Sequence, residues 1–203
     1  MLIFYGLGNN EEKYLKTKHN AGRLVVENLA NLEGLNFQKG DKYFFSKTKW
    51  GKQDVVFLYS SGYMNLSGEP LASFLKYFKY DLSQNSDFLV VVQDDSDQIQ
   101  GSNKLLLGGG TAGHKGIDSI YKQILNFKLD LNRLWRLKIG IRPLSNTQKS
   151  ETFVLSALNP EEIQNISHLA FKIEQNKALF ESENFEKIQQ IINTKLSSIP
   201  DKK

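Results

Sequence analysis

The run Phe88-Leu89-Val90-Val91-Val92 constrains the fold of this chain more than any other segment. It is apolar throughout and rich in β-branched residues, with no polar residue at alternate positions. Such a run is typical of a strand that is covered on both faces, as the central strands of α/β sheets are. It is also far shorter than the roughly 18 apolar residues that a membrane span needs. The run therefore predicts a buried central strand.

Strands and helices alternate around this run. The sequence predicts further strands at residues 2–5, 43–50, 54–59 and 134–141, the second and third joined as a hairpin. Apolar residues at helical spacing predict helices over 20–32, over 68–78 with Ser67 as N-cap, and over 117–124. Asn159-Pro160-Glu161-Glu162 predicts the start of the first of two final helices. This alternation predicts an α/β fold, with one domain over residues 1–197, a mixed twisted sheet flanked by helices, and a flexible tail at 198–203.

Composition excludes several classes of protein. The 203 residues contain no cysteine, so a disulfide framework and a thiol nucleophile are both excluded. The three histidines are not spaced as a metal pair, and we expect no metal and no cofactor. The N-terminal residues 1–5 carry no basic segment or cleavage site, so we expect a cytoplasmic protein. The net charge of +4 is a weak indication of an anionic partner and equally consistent with simple solubility.

Four loops carry the residues capable of chemistry, and the first three of them follow predicted strands. They are Gly6–Asn20, Gly62–Gly68, Gln93–Asp97 and Gly108–Gly116. Each has a plain structural interpretation: Gly6-Leu7-Gly8 as a turn, His19 as a helix cap, Asp94 as a cap or a cation ligand, and the glycines as a tight backbone path. A calcium loop is excluded at Gln93–Asp97 because the required Gly and Glu are missing. No single loop decides the function.

Together, the four loops resemble the motifs of bacterial peptidyl-tRNA hydrolases, in order and spacing from residue 2 to about residue 155. The motifs are Gly6-Leu7-Gly8-Asn9 with Tyr14, Thr17 and His19-Asn20-Ala21-Gly22; Tyr63-Met64-Asn65-Leu66-Ser67-Gly68; Asp94-Asp95-Ser96-Asp97 with Gly101; Gly108–Ile117; and Arg136–Ile141. The resemblance implies an enzyme that cuts the ester between the peptide and the terminal ribose of peptidyl-tRNA, and so recycles tRNA in translation. It further implies a monomer without a cofactor, in which a C-terminal helical segment lies beside the cleft.

The resemblance also implies roles for particular residues. His19 would be the general base that takes a proton from water, with Asp94 orienting its ring and stabilising the imidazolium. Asn9 would distinguish acylated from free amino groups. Substrate-binding residues would be Tyr14, Tyr63, Met64, Asn65 and Lys115, and tRNA phosphate contacts would be Lys104, Arg136 and Lys138. Each of the last three could equally be a solvated surface charge.

Three departures from the family pattern stand out. Asn10-Glu11 occupies the place of Pro-Gly, and the late strand ends as Gly140-Ile141-Arg142-Pro143. Lys115 stands where the family has Asn, and its ammonium either reaches the cleft, where it could donate to an oxyanion or a phosphate, or stays in water.

Two other functions compete with the enzyme. One is a catalytically silent RNA-binding member that resembles the family's organellar splicing-factor relatives. The joint retention of Asn9, His19, Asn65 and Asp94 favours the enzyme over this alternative. The other is a small-molecule domain using Gly6-Leu7-Gly8 as a phosphate loop, which lacks the rest of that motif.

Overall fold

A computed structural model describes residues 1–80, 87–126, 134–143 and 150–193. The strands are β1 (Leu2–Gly6), β2 (Gln38–Lys39), β3 (Tyr43–Trp50), β4 (Gln53–Ser60), β5 (Phe88–Ile99), β6 (Asn103–Leu107) and β7 (Leu134–Arg142). The helices are α1 (Ala21–Leu32), α2 (Gly68–Tyr77), α3 (Lys115–Asn126), α4 (Ser150–Phe153), α5 (Pro160–Gln175), α6 (Lys177–Glu181) and α7 (Phe185–Ile192). Short 3-10 turns lie at Glu12–Tyr14, Lys18–Asn20 and Met64–Leu66.

The described strands form one mixed sheet in the order β2-β3-β4-β1-β5-β7-β6. The four middle strands, β4, β1, β5 and β7, run parallel, while β2, β3 and β6 add antiparallel edges. The carboxyl ends of the parallel strands therefore meet at one edge of the sheet, where open α/β folds place their ligands. The predicted fold class is confirmed.

Helices cover both faces of the sheet because its central strands are apolar on both sides. Leu2 and Phe4 of β1 face a core that also contains α1 and the C-terminal helices. Ile3 and Tyr5 face a second core formed with α2 and α3. Among the described helices, none has the length and apolarity required to cross a bilayer.

The structure corrects three local predictions. Gln93–Asp97 is not a loop: β5 continues to Ile99 because its pairing with β7 extends past Asp95, with an irregularity before Ile99. Ser67 does not cap α2, since its hydroxyl donates to the carbonyl of Met64 at 2.7 Å instead. The sequence predicts two final helices, but the described C-terminal residues form three, α5, α6 and α7.

The sequence missed one element of the fold and predicted the start of another correctly. The edge strand β6 was not predicted from the sequence at all. The N-terminus of α5 was predicted well: Asn159 and Glu162 form a reciprocal capping box, and Pro160 occupies the first turn. The predicted tail at 198–203 lies outside the described residues.

Candidate active site

An open cleft of about 380 Å³ lies at the carboxyl edge of the parallel strands. Its walls come from the first two loops, from the polar end of β5, from the glycine-rich segment before α3 and the first residue of α3, from β7, and from residues after α4. The lining residues are His19, Met64, Asn65, Gln93, Asp94, Asp95, Ser96, Asp97, Thr111, Ala112, Gly113, His114, Lys115, Arg136, Lys138, Val154 and Leu155. Segments far apart in the chain therefore meet at one place.

His19 reaches the cleft because α1 begins very close to β5. A Cβ atom on Gly22 would lie 2.1 Å from the carbonyl oxygen of Val92, so a glycine is needed where the helix crosses the strand. The backbone N–H of Leu7 donates to that same oxygen at 2.9 Å. His19 lies just before this contact, in the 3-10 turn Lys18–Asn20, and Asp94 lies two residues after Val92 in β5.

His19 and His114 share one carboxylate oxygen. His19 Nδ1 lies 2.8 Å from Asp94 Oδ1, and His114 Nε2 lies 3.1 Å from the same atom. An ionised carboxylate only accepts hydrogen bonds, so both ring nitrogens must carry the proton. His19 Nε2 has no partner among the described residues, and its ring lines the cleft. This is the tautomer that a general base needs.

The second histidine was not predicted from the sequence, which assigned a catalytic setting to His19 alone. A partial signal exists, because His114, like His19, follows a glycine-containing loop and comes shortly before a helix: α1 begins two residues after His19, and α3 begins directly after His114. Ala112 and Gly113 turn the chain there with φ values of 50° and 75°. The N–H of Gly116 then donates to His114 Nδ1 at 3.2 Å, which makes Nδ1 an acceptor and directs Nε2–H toward Asp94.

Asp94 is ionised in this environment. Burial raises the pKa of the carboxyl, but the charges of His19 and His114 and their hydrogen bonds outweigh burial and hold the pKa well below its usual range. The side chain is 2% exposed. The site therefore contains a permanent, buried negative charge against the candidate base.

Among the described residues, the side chains of His19, Asp94 and His114 form the group that could hold a metal ion. Their ligand atoms all lie within 4.8 Å of one another. A metal on His114 Nε2 would require the proton on Nδ1, where it would oppose the N–H of Gly116. The arrangement suits proton transfer better than metal coordination.

Asn9 lies next to the cleft rather than in its lining. It is 6% exposed, and its Oδ1 accepts the backbone N–H of Met64 at 2.8 Å. Its own backbone exchanges two hydrogen bonds with the side chain of Asn20, each 2.8 Å long. Asn9 therefore joins the turn that carries His19 to the loop that carries Met64 and Asn65. Its Nδ2 has no partner among the described residues.

The two predicted tyrosines also lie outside the cleft lining. Tyr63 is 49% exposed and its hydroxyl donates to Glu11, one of the residues in the place of the family's Pro-Gly. That hydrogen bond lowers the pKa of Glu11 and raises the pKa of Tyr63. Lys13 lies over the ring of Tyr14, with its Nζ 4.8 Å from the centroid. Met64 and Asn65 line the cleft as predicted.

The four predicted cationic residues have different environments. Lys115 is exposed at the start of α3 and lines the cleft, and Lys104 is exposed on β6. Lys138 donates to Asp95 Oδ2 at 2.6 Å. Arg136 is not on the surface: it is 1% exposed, its Nε donates to Gln93 Oε1 at 2.9 Å, and its Nη1 donates to the carbonyl of Gly110. Its Nη2 is buried without a partner.

Comparison with known proteins agrees with this geometry. The family model for peptidyl-tRNA hydrolase matches residues 3–199. The chain belongs to the peptidyl-tRNA hydrolase family. The peptidyl-tRNA hydrolase of Thermodesulfovibrio yellowstonii is 31% identical over 193 residues, which cover 95% of this chain and 99% of that protein.

Two further relatives support the same assignment. The peptidyl-tRNA hydrolase of Lactobacillus helveticus is 35% identical over 164 residues, covering 80% of this chain and 83% of that protein. The crystal structure of peptidyl-tRNA hydrolase from Acinetobacter baumannii superposes with a TM-score of 0.79 at 26% identity, over 96% of this chain and 94% of that one. In this member of the peptidyl-tRNA hydrolase family, His19 and Asp94 both line the cleft.

Proposed function

We propose that this protein hydrolyses the ester of peptidyl-tRNA, with His19 as the general base. The observation that carries the proposal is the 2.8 Å contact between His19 Nδ1 and the buried Asp94, which leaves His19 Nε2 facing an open cleft. The alternative of a catalytically silent RNA-binding member is not favoured, because the base and its carboxylate partner are both present and in contact.

The chemistry follows from this geometry. His19 Nε2 takes a proton from water as the water oxygen attacks the ester carbonyl carbon. The charge of Asp94 stabilises the imidazolium that forms. The imidazolium then returns its proton to the departing ribose oxygen, giving a peptide with a free carboxylate and a tRNA with a free terminal hydroxyl.

Neighbouring donors serve the substrate and the developing oxyanion. The side-chain amide of Asn65 and the ammonium of Lys115 both line the cleft and are suited to this task. Asn9 contributes through Met64, whose N–H its Oδ1 accepts, and through its Nδ2, which has no partner among the described residues and can donate to the carbonyl oxygen of the substrate's acylated amino group. Tyr14 and Tyr63, outside the cleft lining, would contact the outer part of the peptide.

The proposal is tested with N-acylated aminoacyl-tRNA and its unacylated counterpart as substrates. We expect the wild type to release tRNA from the first only, and His19→Ala to be slower by roughly 10²- to 10⁴-fold while remaining folded. Wild-type turnover in His19→Ala would exclude His19 as the base. Equal release from both substrates would contradict the proposed selectivity.

We also propose that tRNA phosphates are held electrostatically near the β6–β7 edge by Lys104 and Lys138. Arg136, which lines the cleft, would contact a phosphate from the cleft wall. The modest net charge of +4 implies few phosphate contacts and a shallow salt dependence. Lys104→Ala should reduce the slope of log KM against log salt by about one. Lys49→Ala is the control, because β3 lies near the opposite edge of the sheet.

Finally, we propose that the protein acts as a monomer in the cytoplasm and as a single domain over residues 1–197. The single domain is supported by the described part of the chain, which forms one continuous sheet with a core on each face. Light scattering at assay concentration tests the monomer, and a dimeric mass would contradict it.

A further inference from the structure

Lys18, the residue before His19, forms a buried ion pair with Glu162 of α5. Lys18 Nζ lies 2.6 Å from Glu162 Oε1, and the two side chains are 6% and 3% exposed. Lys18 Nζ also donates to the carbonyl of Ala157 at 3.2 Å. Because removing two charges from water largely offsets their attraction, a buried ion pair is weak evidence of stabilisation and calls for another explanation.

Capping of α5 does not by itself require the ammonium. Asn159 Oδ1 accepts the N–H of Glu162 at 2.8 Å, and Glu162 Oε2 accepts the N–H of Asn159 at 2.8 Å. This reciprocal box satisfies the helix start with uncharged donors. Lys18 therefore adds a connection between α5 and the turn that carries His19, 144 residues away in the chain.

The backbone around Lys18 is held by the segment Phe153–Leu158, which we call the strap. An isolated antiparallel bridge joins Thr17 to Ala157. Three backbone hydrogen bonds accompany it: Lys18 N–H to Ser156 O at 3.0 Å, His19 N–H to Val154 O at 2.8 Å, and Leu158 N–H to Lys16 O at 2.8 Å. Val154 and Leu155 of the strap also line the cleft.

Local contacts do little to fix the turn of His19. Thr17 precedes the 3-10 turn and Asn20 precedes α1, and neither side chain caps the helix that follows it. Asn20 uses its amide on Asn9 instead. The orientation of His19 therefore depends on three distant connections: Asp94, the Asn9–Asn20 hydrogen bonds and the strap.

We propose that Lys18 and Glu162 are positioning residues for His19. Their ion pair fastens α5, which follows the strap, to the turn, so that His19 Nδ1 stays within reach of Asp94 and Nε2 faces the cleft. Loosening this connection misplaces the base without removing it, and a misplacement of about 1 Å is enough to slow a reaction strongly. The inference rests on the proposed role of His19.

The test uses full-length variants that break or preserve the connection. Glu162→Gln and Lys18→Met break it, and Lys18→Arg preserves a cation that can pair with the carboxylate. The double variant Lys18→Met/Glu162→Gln breaks it without leaving a buried unpaired charge, so that it folds even where a single variant does not. Lys177→Met is the control: Lys177 pairs with Glu33 and Glu174, and connects the C-terminal helices to α1 but not to the turn of His19.

We expect the broken variants, assayed below their melting temperatures, to lose at least tenfold in kcat on N-acylated aminoacyl-tRNA with KM within twofold. Lys18→Arg should stay within threefold of the wild type, and Lys177→Met should be unchanged. The low-field proton NMR signal of His19 Nδ1–H, assigned by its absence from His19→Ala, should weaken in the broken variants only.

The inference is overturned if the folded double variant has wild-type kcat, if the loss lies in KM alone, or if Lys177→Met loses as much. Failure of the proposed function is seen separately, as wild-type turnover in His19→Ala. An inactive His19→Ala beside a fully active double variant would retain the base and reject the positioning role.

Discussion

Replacing Asp94 with asparagine removes the charge next to the candidate base while preserving the shape of the side chain. In the wild type, Asp94 Oδ1 accepts from His19 at 2.8 Å and from His114 at 3.1 Å. An amide oxygen can accept both hydrogen bonds, so the ground-state geometry can survive the change. What is lost is the attraction between the carboxylate and the imidazolium of His19 in the transition state.

The size of this effect follows from the contact distance. Two unit charges about 4 Å apart attract by about 4 kcal/mol at the effective dielectric constant of roughly 20 that suits protein sites. Since each 1.36 kcal/mol is worth about tenfold in rate, we expect kcat to fall by about 10²- to 10³-fold. If the amide rotates and presents its N–H₂ to His19, the ring takes the wrong tautomer and the loss approaches about 10⁴-fold.

The assay is single-turnover release of tRNA from N-acylated aminoacyl-tRNA, compared between Asp94→Asn and Asp97→Asn. Asp97 is exposed in the same cleft, so its replacement removes the same formal charge without touching either histidine. A rate in Asp94→Asn within threefold of the wild type would refute the reasoning. An equal loss in both variants would mean that general cleft charge, not the contact with His19, is responsible.

Three further outcomes follow from the same site. His114→Ala should lower kcat about tenfold, because Asp94 loses one of its two donors, each worth about 1.5–3 kcal/mol to a charged group; an unchanged kcat would contradict this. The pKa of Asp94 is lower in the folded state than its unfolded value of about 3.9, so the stability gained from its ionisation is present above about pH 4 and is lost as the pH falls below it. The urea midpoints of the wild type and Asp94→Asn should therefore converge in acid. Lys115→Asn should keep activity within about twofold while Lys115→Ala loses about tenfold; wild-type kinetics in both would place the ammonium in water.

The central sheet was predictable because its signals are local. Continuous apolar runs predict strands buried on both faces, and those at Leu2–Gly6 and Phe88–Val92 do lie at the middle of the sheet. The start of α5 was predictable for the same reason, since the Asn159 box involves residues three apart. Such patterns depend on neighbours in the chain, which the sequence displays directly.

The edges of the sheet depend on distant partners and were not predictable. β6 pairs with β7, and it is also held by α7, where Asn193 Oδ1 accepts the N–H of Leu105 at 2.6 Å. The polar end of β5 likewise has the sequence of a loop, yet it continues as a strand because Gln93, Asp94 and Asp95 pair with β7. Here tertiary pairing overrides local preference.

The site was predictable only as far as one rule of topology extends. In the sequence, Asp94 follows the apolar run of one central strand and His19 follows another, and the carboxyl ends of neighbouring parallel strands meet at one edge. This rule does not extend to the segment before α3, because its strand, β6, runs antiparallel and was itself unpredicted. His114 was missed for this reason. The placement of this second donor beside Asp94 depends on long-range pairing, which sets β6 against β7 and β7 against β5. When the order of the strands brings the residues of a site together, the sequence predicts those residues only where it also predicts the strand order.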